Sequence, residues 1–137
     1  MRAPDRRFSP GYGERGNALI ELALTLPLLL MLTLGAIELG RGLNTYLALV
    51  NASREGARWW SAHPSDWAGA LARVQAEAAR AGVTAPVVER SPAGGIPAAG
   101  TSVTVRVRYN YPLGFGALTG LSVLPMRAET TMVVLYP

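Results

Sequence analysis

Residues 15–37 read Arg15-Gly16-Asn17-Ala18-Leu19-Ile20-Glu21-Leu22-Ala23-Leu24-Thr25-Leu26-Pro27-Leu28-Leu29-Leu30-Met31-Leu32-Thr33-Leu34-Gly35-Ala36-Ile37, and this stretch decides the architecture. From Ala18 to Ile37 only Glu21, Thr25 and Thr33 are polar. About 20 apolar residues in a helix span a hydrocarbon core ~30 Å thick, so the run predicts a transmembrane helix over 17–38. Glu21 lies five residues after Gly16, just inside the run. An acidic residue at a membrane helix centre costs ~2.5–3.5 kcal/mol on insertion scales, less near the interface. A plain anchor has no use for that cost. Pro27 removes one helical hydrogen bond and predicts a kink, which membrane helices tolerate better than soluble ones.

Before the run, residues 1–16 are polar and carry Pro4, Ser9, Pro10, Gly11 and Gly13 with Arg2, Arg6, Arg7 and Arg15. They hold too little apolar surface to fold and predict a disordered basic leader. After the run, Leu43, Tyr46, Leu47 and Val50 recur at helical spacing, so the helix is expected to continue to about Trp60. This stretch, 39–62, reads as a continuation that leaves the membrane and lays its apolar stripe on a surface; the resemblance described below implies that it is extracytoplasmic. Glu38 with Arg41, and Glu55 with Arg58, are spaced to pair at i,i+3. Ala36 with Gly40, and Gly56 with Ala57, are small enough for a second helix to approach.

His63-Pro64-Ser65-Asp66 ends the long helix, with Ser65 or Asp66 available to cap the next. Trp67, Leu71, Val74 and Ala78 form one face of a short second helix that Gly82 stops. The period then changes. Val87 and Val88 suggest a short strand, and Ser91 to Gly100 reads as a Pro/Gly loop. Val103, Val105, Val107, Tyr109 and Tyr111 alternate with polar residues, the mark of a half-buried strand. Pro112 to Pro125 reads as a long connection and Met126 to Tyr136 as a last strand. The expected fold is α+β: a long amino-terminal helix, a short second helix and a small antiparallel sheet, with 63–137 as a small domain outside the membrane.

Composition narrows the function. The chain has 137 residues and no Cys, which excludes a disulfide scaffold and a thiolate site. The net charge is +4 and all 13 basic residues are Arg, thinly spread, so nucleic acid is not an expected partner. His63 is the single His and has no ligand spacing around it, so no metal is expected. Asp66, Glu77 and Glu89 are scattered and form no catalytic pair. The Gly94-Gly95 loop lacks the Lys and helix of a phosphate cradle. No enzyme activity and no cofactor are expected. Trp59 and Trp60 are placed to cover the domain core or to offer a partner surface.

Gly16, the apolar helix and Glu21 together resemble the processing site of type IV prepilins and pseudopilins. The resemblance implies cleavage between Gly16 and Asn17 by a prepilin peptidase on the cytoplasmic side. It further implies that Glu21 pairs with the new α-amino group on Asn17 of a neighbouring subunit. In that family a proline such as Pro27 marks where the helix loosens on assembly. Glu38-Leu39-Gly40-Arg41, Tyr46 and Asn51-Ala52-Ser53-Arg54-Glu55-Gly56-Ala57-Arg58 then resemble TadE-like proteins, the pseudopilins or minor pilins of the tight-adherence (Tad/Flp) pilus. Ser53 stands where Ala is usual.

The implied partners are other pilins and pseudopilins, the prepilin peptidase and the membrane assembly platform. The implied location is a bacterial inner (plasma) membrane, with the amino terminus cytoplasmic and the domain outside, or the pilus itself. Arg54, Glu55 and Arg58 read as a solvated, paired helix face or as a docking face for a second pseudopilin. The rival reading of the whole chain is a single-pass anchor carrying a small extracytoplasmic binding domain. A secreted protein with a signal peptide fits less well, because Leu34-Gly35-Ala36 is a poor cleavage site.

Overall fold

The computed structural model describes residues 12–114, 116 and 120–135. Two helices precede three strands: α1 (Tyr12–Ala62), α2 (Trp67–Arg80), β1 (Val87–Ser91), β2 (Ser102–Pro112) and β3 (Val123–Val133). This is the α+β order that the change of period predicts. Two compact units divide between Ile37 and Glu38.

In the first unit α1 begins at Tyr12, so the last residues of the expected leader are helical. Residues 1–11 of that leader lie outside the described residues. The helix stays one element through Pro27. Every side chain from Asn17 to Ile37 is exposed. A core helix of a soluble protein would be largely buried, and this segment is not buried at all. It fits a single-pass membrane anchor. Its two hydroxyls are satisfied by the helix itself: Thr25 Oγ1 donates to the Glu21 carbonyl at 2.8 Å and Thr33 Oγ1 to the Leu29 carbonyl at 2.8 Å. Lipid offers no other partner, so this back-bonding removes the cost of a bare hydroxyl.

The second unit is a two-layer sandwich. The sheet has the order β1-β2-β3, antiparallel throughout, with Val88 opposite Val107 and Val107 opposite Ala128. Val103, Val105 and Val107 point inward, as the alternation predicts, and meet Leu49, Trp60 and Val74 from the helices. Burying a side chain of this kind contributes ~1.5–3 kcal/mol. On the outer face Arg106 Nε donates to Glu129 at 3.0 Å and Arg106 Nη1 to Glu89 at 3.3 Å. Both carboxylates sit directly across from Arg106 in the ladder.

The buried face of α1 is not the one the spacing of its large residues suggests. Leu43, Tyr46 and Leu47 are exposed, and Val50 is only partly buried. The face toward the sheet carries Ala48, Leu49, Ala52, Ser53, Ala57 and Trp60. Small side chains let α1 sit close to α2 and the strands, and close packing gains more contacts than a rim of leucines held further out. In α2 the buried residues are Ala70, Val74 and Ala78. Asp66 is its cap, accepting from the Gly69 amide at 2.8 Å. The helix ends at Arg80, and Gly82 follows at φ +75°, where glycine carries no steric penalty. The last strand begins at Val123, three residues before the expected Met126, so the β2–β3 connection is shorter than predicted. Tyr136 lies outside the described residues.

Candidate functional site

The residues singled out by sequence fall into three groups along α1. The first is Gly16, Asn17 and Glu21. A Cβ built on Gly16 would meet nothing within 4 Å. The fold gives no packing reason for glycine there, while a helical glycine is ~1 kcal/mol worse than alanine. Glu21 is exposed, and no hydrogen bond or ion pair involves its carboxylate among the described residues. Besides the helix's own backbone bonds, its carbonyl accepts from the Thr25 hydroxyl. Glu21 is the charged group of the apolar run, and no described residue pairs with it.

The second group is Ala36, Glu38, Gly40 and Arg41. Ala36 is exposed, and Gly40 has nothing within 4 Å of a built Cβ. Both remain open to an approaching helix. The expected Glu38–Arg41 ion pair does not form. Glu38 Oε1 instead accepts from the Gly114 amide at 3.0 Å, across 76 residues of chain. A backbone donor held by the β2–β3 turn wins over a mobile guanidinium, because the amide is already ordered. The Tyr111 hydroxyl sits beside this carboxylate. Burial first, and then Glu38, push the Tyr111 pKa up.

The third group is Arg54, Glu55, Gly56, Ala57 and Arg58. Arg58 Nη2 and Nε donate to Glu55 Oε2 at 2.7 and 3.1 Å, so this i,i+3 pair forms as spaced. Arg73 of α2 joins it at 3.4 Å. These contacts, Arg58 before Arg73, hold the Glu55 carboxyl below its ordinary range. Arg54 is exposed and outside this cluster. Gly56 and Ala57 do receive a second helix, but it is α2 of the same chain. A Cβ on Gly56 would lie 2.3 Å from Val74 Cγ2. They are therefore spent on the domain's own core and leave no room there for a partner helix.

Some contacts carry no sequence signal of their own. Ser53 is fully buried, and its hydroxyl bonds the Val50 carbonyl at 2.9 Å and the Thr130 hydroxyl at 2.8 Å. Trp59 Nε1 donates to Asp66 Oδ2 at 3.0 Å, while the ring is stacked by His63 and covered by the Arg73 guanidinium, each 4.0 Å away. The Gly69 amide, then the Trp59 indole, hold the Asp66 carboxyl below its usual range. His63 thus has a packing role. Trp60 is buried in the core and donates to the Pro64 carbonyl at 3.1 Å.

A sequence model of the TadE-like protein family matches residues 16–58. Comparison with curated proteins and with solved structures gives no match. The matched segment opens on Gly16 and closes on Arg58, so it contains all three groups and none of α2 or the sheet. The similarity to TadE-like proteins thus covers the apolar helix and its continuation, residues 16–58 of a chain of 137.

Proposed function

We propose that the chain is a pseudopilin or minor pilin that takes part in assembling a tight-adherence pilus, after a prepilin peptidase cuts between Gly16 and Asn17. The observation that carries this reading is Glu21, a carboxylate with no partner among the described residues on a helix whose hydroxyls are satisfied internally. Cleavage would create an α-amino group on Asn17, with an ordinary pKa of roughly 7.7–8, where no cation stood before. That amine on one subunit supplies the partner that Glu21 lacks on the next. A charge pair between packed helices acts as a register device, the best-attested use of such pairs.

Gly16 supports the same reading. Nothing in the fold needs a glycine there, whereas a peptidase that must unwind the backbone does. The sheet domain would travel outside the membrane, and Ala36 and Gly40 would let neighbouring helices approach. The peptidase, other pilins and pseudopilins, and the assembly platform are the proposed partners.

The test is the amino-terminal residue of the membrane-bound protein, read by mass spectrometry. Asn17 is expected in the wild type, and an uncut chain in Gly16→Leu. A wild-type protein that keeps its leader in cells with an active prepilin peptidase would sink the proposal.

A further inference from the structure

Two helix faces carry the same charge pattern. Arg54, Glu55 and Arg58 share one face of α1, and Arg73, Glu77 and Arg80 share one face of α2. Both faces line a groove of about 620 Å³, and Met132 of β3 adds an apolar contact to it. The groove lies wholly within the Glu38–Pro137 unit and does not depend on processing at Gly16.

Four guanidiniums meet two carboxylates in this groove. Glu55 takes Arg58 at 2.7 Å and Arg73 at 3.4 Å, and Glu77 takes Arg80 at 2.7 Å. Side-chain exposure is 27% and 28% for Glu55 and Glu77 but 70% and 77% for Arg58 and Arg80. The acids therefore sit low and the guanidiniums reach into solvent. Arg73 lies 4.0 Å over the Trp59 ring, which holds it in place. Arg54 is exposed and pairs with no acid among the described residues. Arg58 spends Nε and Nη2 on Glu55 and Arg80 spends Nη1 on Glu77, so donors of both remain open among the described residues. Exposed ion pairs contribute only ~0–1 kcal/mol each, so the pairs already present do not offset gathering four like charges.

We propose that this groove binds an acidic segment of a different protein, whose carboxylates meet Arg54 on α1 and Arg80 on α2. Charge complementarity selects the occupant. The groove has two more guanidiniums than carboxylates, and a guanidinium takes a carboxylate through two parallel hydrogen bonds. A second copy of this chain does not fit, because none of its 9 acidic residues lies within four positions of another. A phosphate-dense surface fits less well, because it brings Glu55 and Glu77 against like charge. A peptide can place neutral residues against those two acids and an apolar one against Met132.

The full chain in a zwitterionic detergent would be titrated with a fluorescent peptide that alternates glutamate with serine, and with its lysine counterpart. Anisotropy should show binding of the glutamate peptide alone. Arg54→Ala should weaken that binding about tenfold, the loss of one charge-assisted contact. Arg54→Glu should abolish it. Neither variant should change the urea midpoint, since the Arg54 side chain holds nothing in the fold. Arg127→Ala, on the outer face of the sheet, should bind as the wild type does. Failure of the glutamate peptide to bind, or an equal loss in Arg127→Ala, would overturn the proposal. So would displacement of the peptide by phosphatidylglycerol vesicles or inorganic polyphosphate at matched charge, which would make the groove a general phosphate surface.

Discussion

Gly56 of α1 lies so close under Val74 of α2 that a Cβ built on it would come within 2.3 Å of Val74 Cγ2 and 3.4 Å of Val105 Cγ1. The two helices and the central strand meet at this point. The missing side chain is what allows them to.

Gly56→Ala should therefore destabilise the domain by roughly 1–3 kcal/mol, the usual range for overpacking. Gly40→Ala on the same helix should hold or raise stability, by up to ~1 kcal/mol, because nothing lies within 4 Å of its Cβ and alanine is the better helix former. Urea titration followed by tryptophan fluorescence reads both, since Trp60 is in the core. An equal gain in the two variants would show that helix propensity, not packing, governs these glycines.

The buried hydroxyl pair Ser53–Thr130 joins α1 to β3. Ser53→Ala should cost about 1 kcal/mol, and Thr130→Val a similar amount, each leaving one hydroxyl or its packing uncompensated. The double variant should cost less than the sum of the two. A double-mutant cycle with no coupling would mean the pair adds nothing beyond its separate contacts.

Glu38 is expected to protect a single backbone amide. In Glu38→Ala, hydrogen exchange at Gly114 should speed up markedly while the amides of Val103, Val105 and Val107 in β2 hold their protection. Glu38→Gln should retain most of the effect, since its amide oxygen still accepts. Unchanged exchange at Gly114 in the alanine variant would remove Glu38 as the anchor of the turn.

Acid should weaken the domain through Glu55, Asp66 and Glu129. Arg58, the Gly69 amide and Arg127 respectively are the leading causes that hold these carboxyls below their ordinary values. A folded-state pKa below the unfolded one means that protonation favours the unfolded chain. The stabilisation is full above the ordinary carboxylate range near pH 4 and fades as pH falls through it toward the folded values. Asp66→Asn keeps an acceptor for the Gly69 amide but cannot titrate. Its urea midpoint should start lower than that of the wild type at about pH 6 and fall less steeply by about pH 3. A wild-type midpoint that does not move over this interval would contradict the assignment.

Much of the architecture is legible in the chain. The run from Ala18 to Ile37 is long and apolar enough to cross a membrane, and its exposure fits an anchor and not the core helix of a soluble domain. Strand β2 follows from strict alternation, because a period of two can serve only one buried face. The Asp66 cap and the Gly82 stop follow from local backbone chemistry, which involves only a few neighbouring residues. Among the site residues, the Glu55–Arg58 pair is equally local. Gly16 and Glu21 stand out for the opposite reason: no described residue packs on the one or pairs with the carboxylate of the other.

The tertiary structure decided what depends on distant neighbours. Residue sizes along α1 point to Leu43, Tyr46 and Leu47 as its buried stripe, yet the small-residue face is the one that packs, because only there can α2 and the sheet come close enough. Spacing offers Arg41 to Glu38, yet a backbone amide 76 residues away takes the carboxylate. Gly56 and Ala57 look free for a partner and are used by α2. Sequence by itself determined where the chain is helical, where it is extended and which segment suits lipid, since periodicity and composition are local quantities. Which face of α1 is buried and which partner each charge finds were settled only by folding, since both depend on surfaces that meet after the sheet has formed.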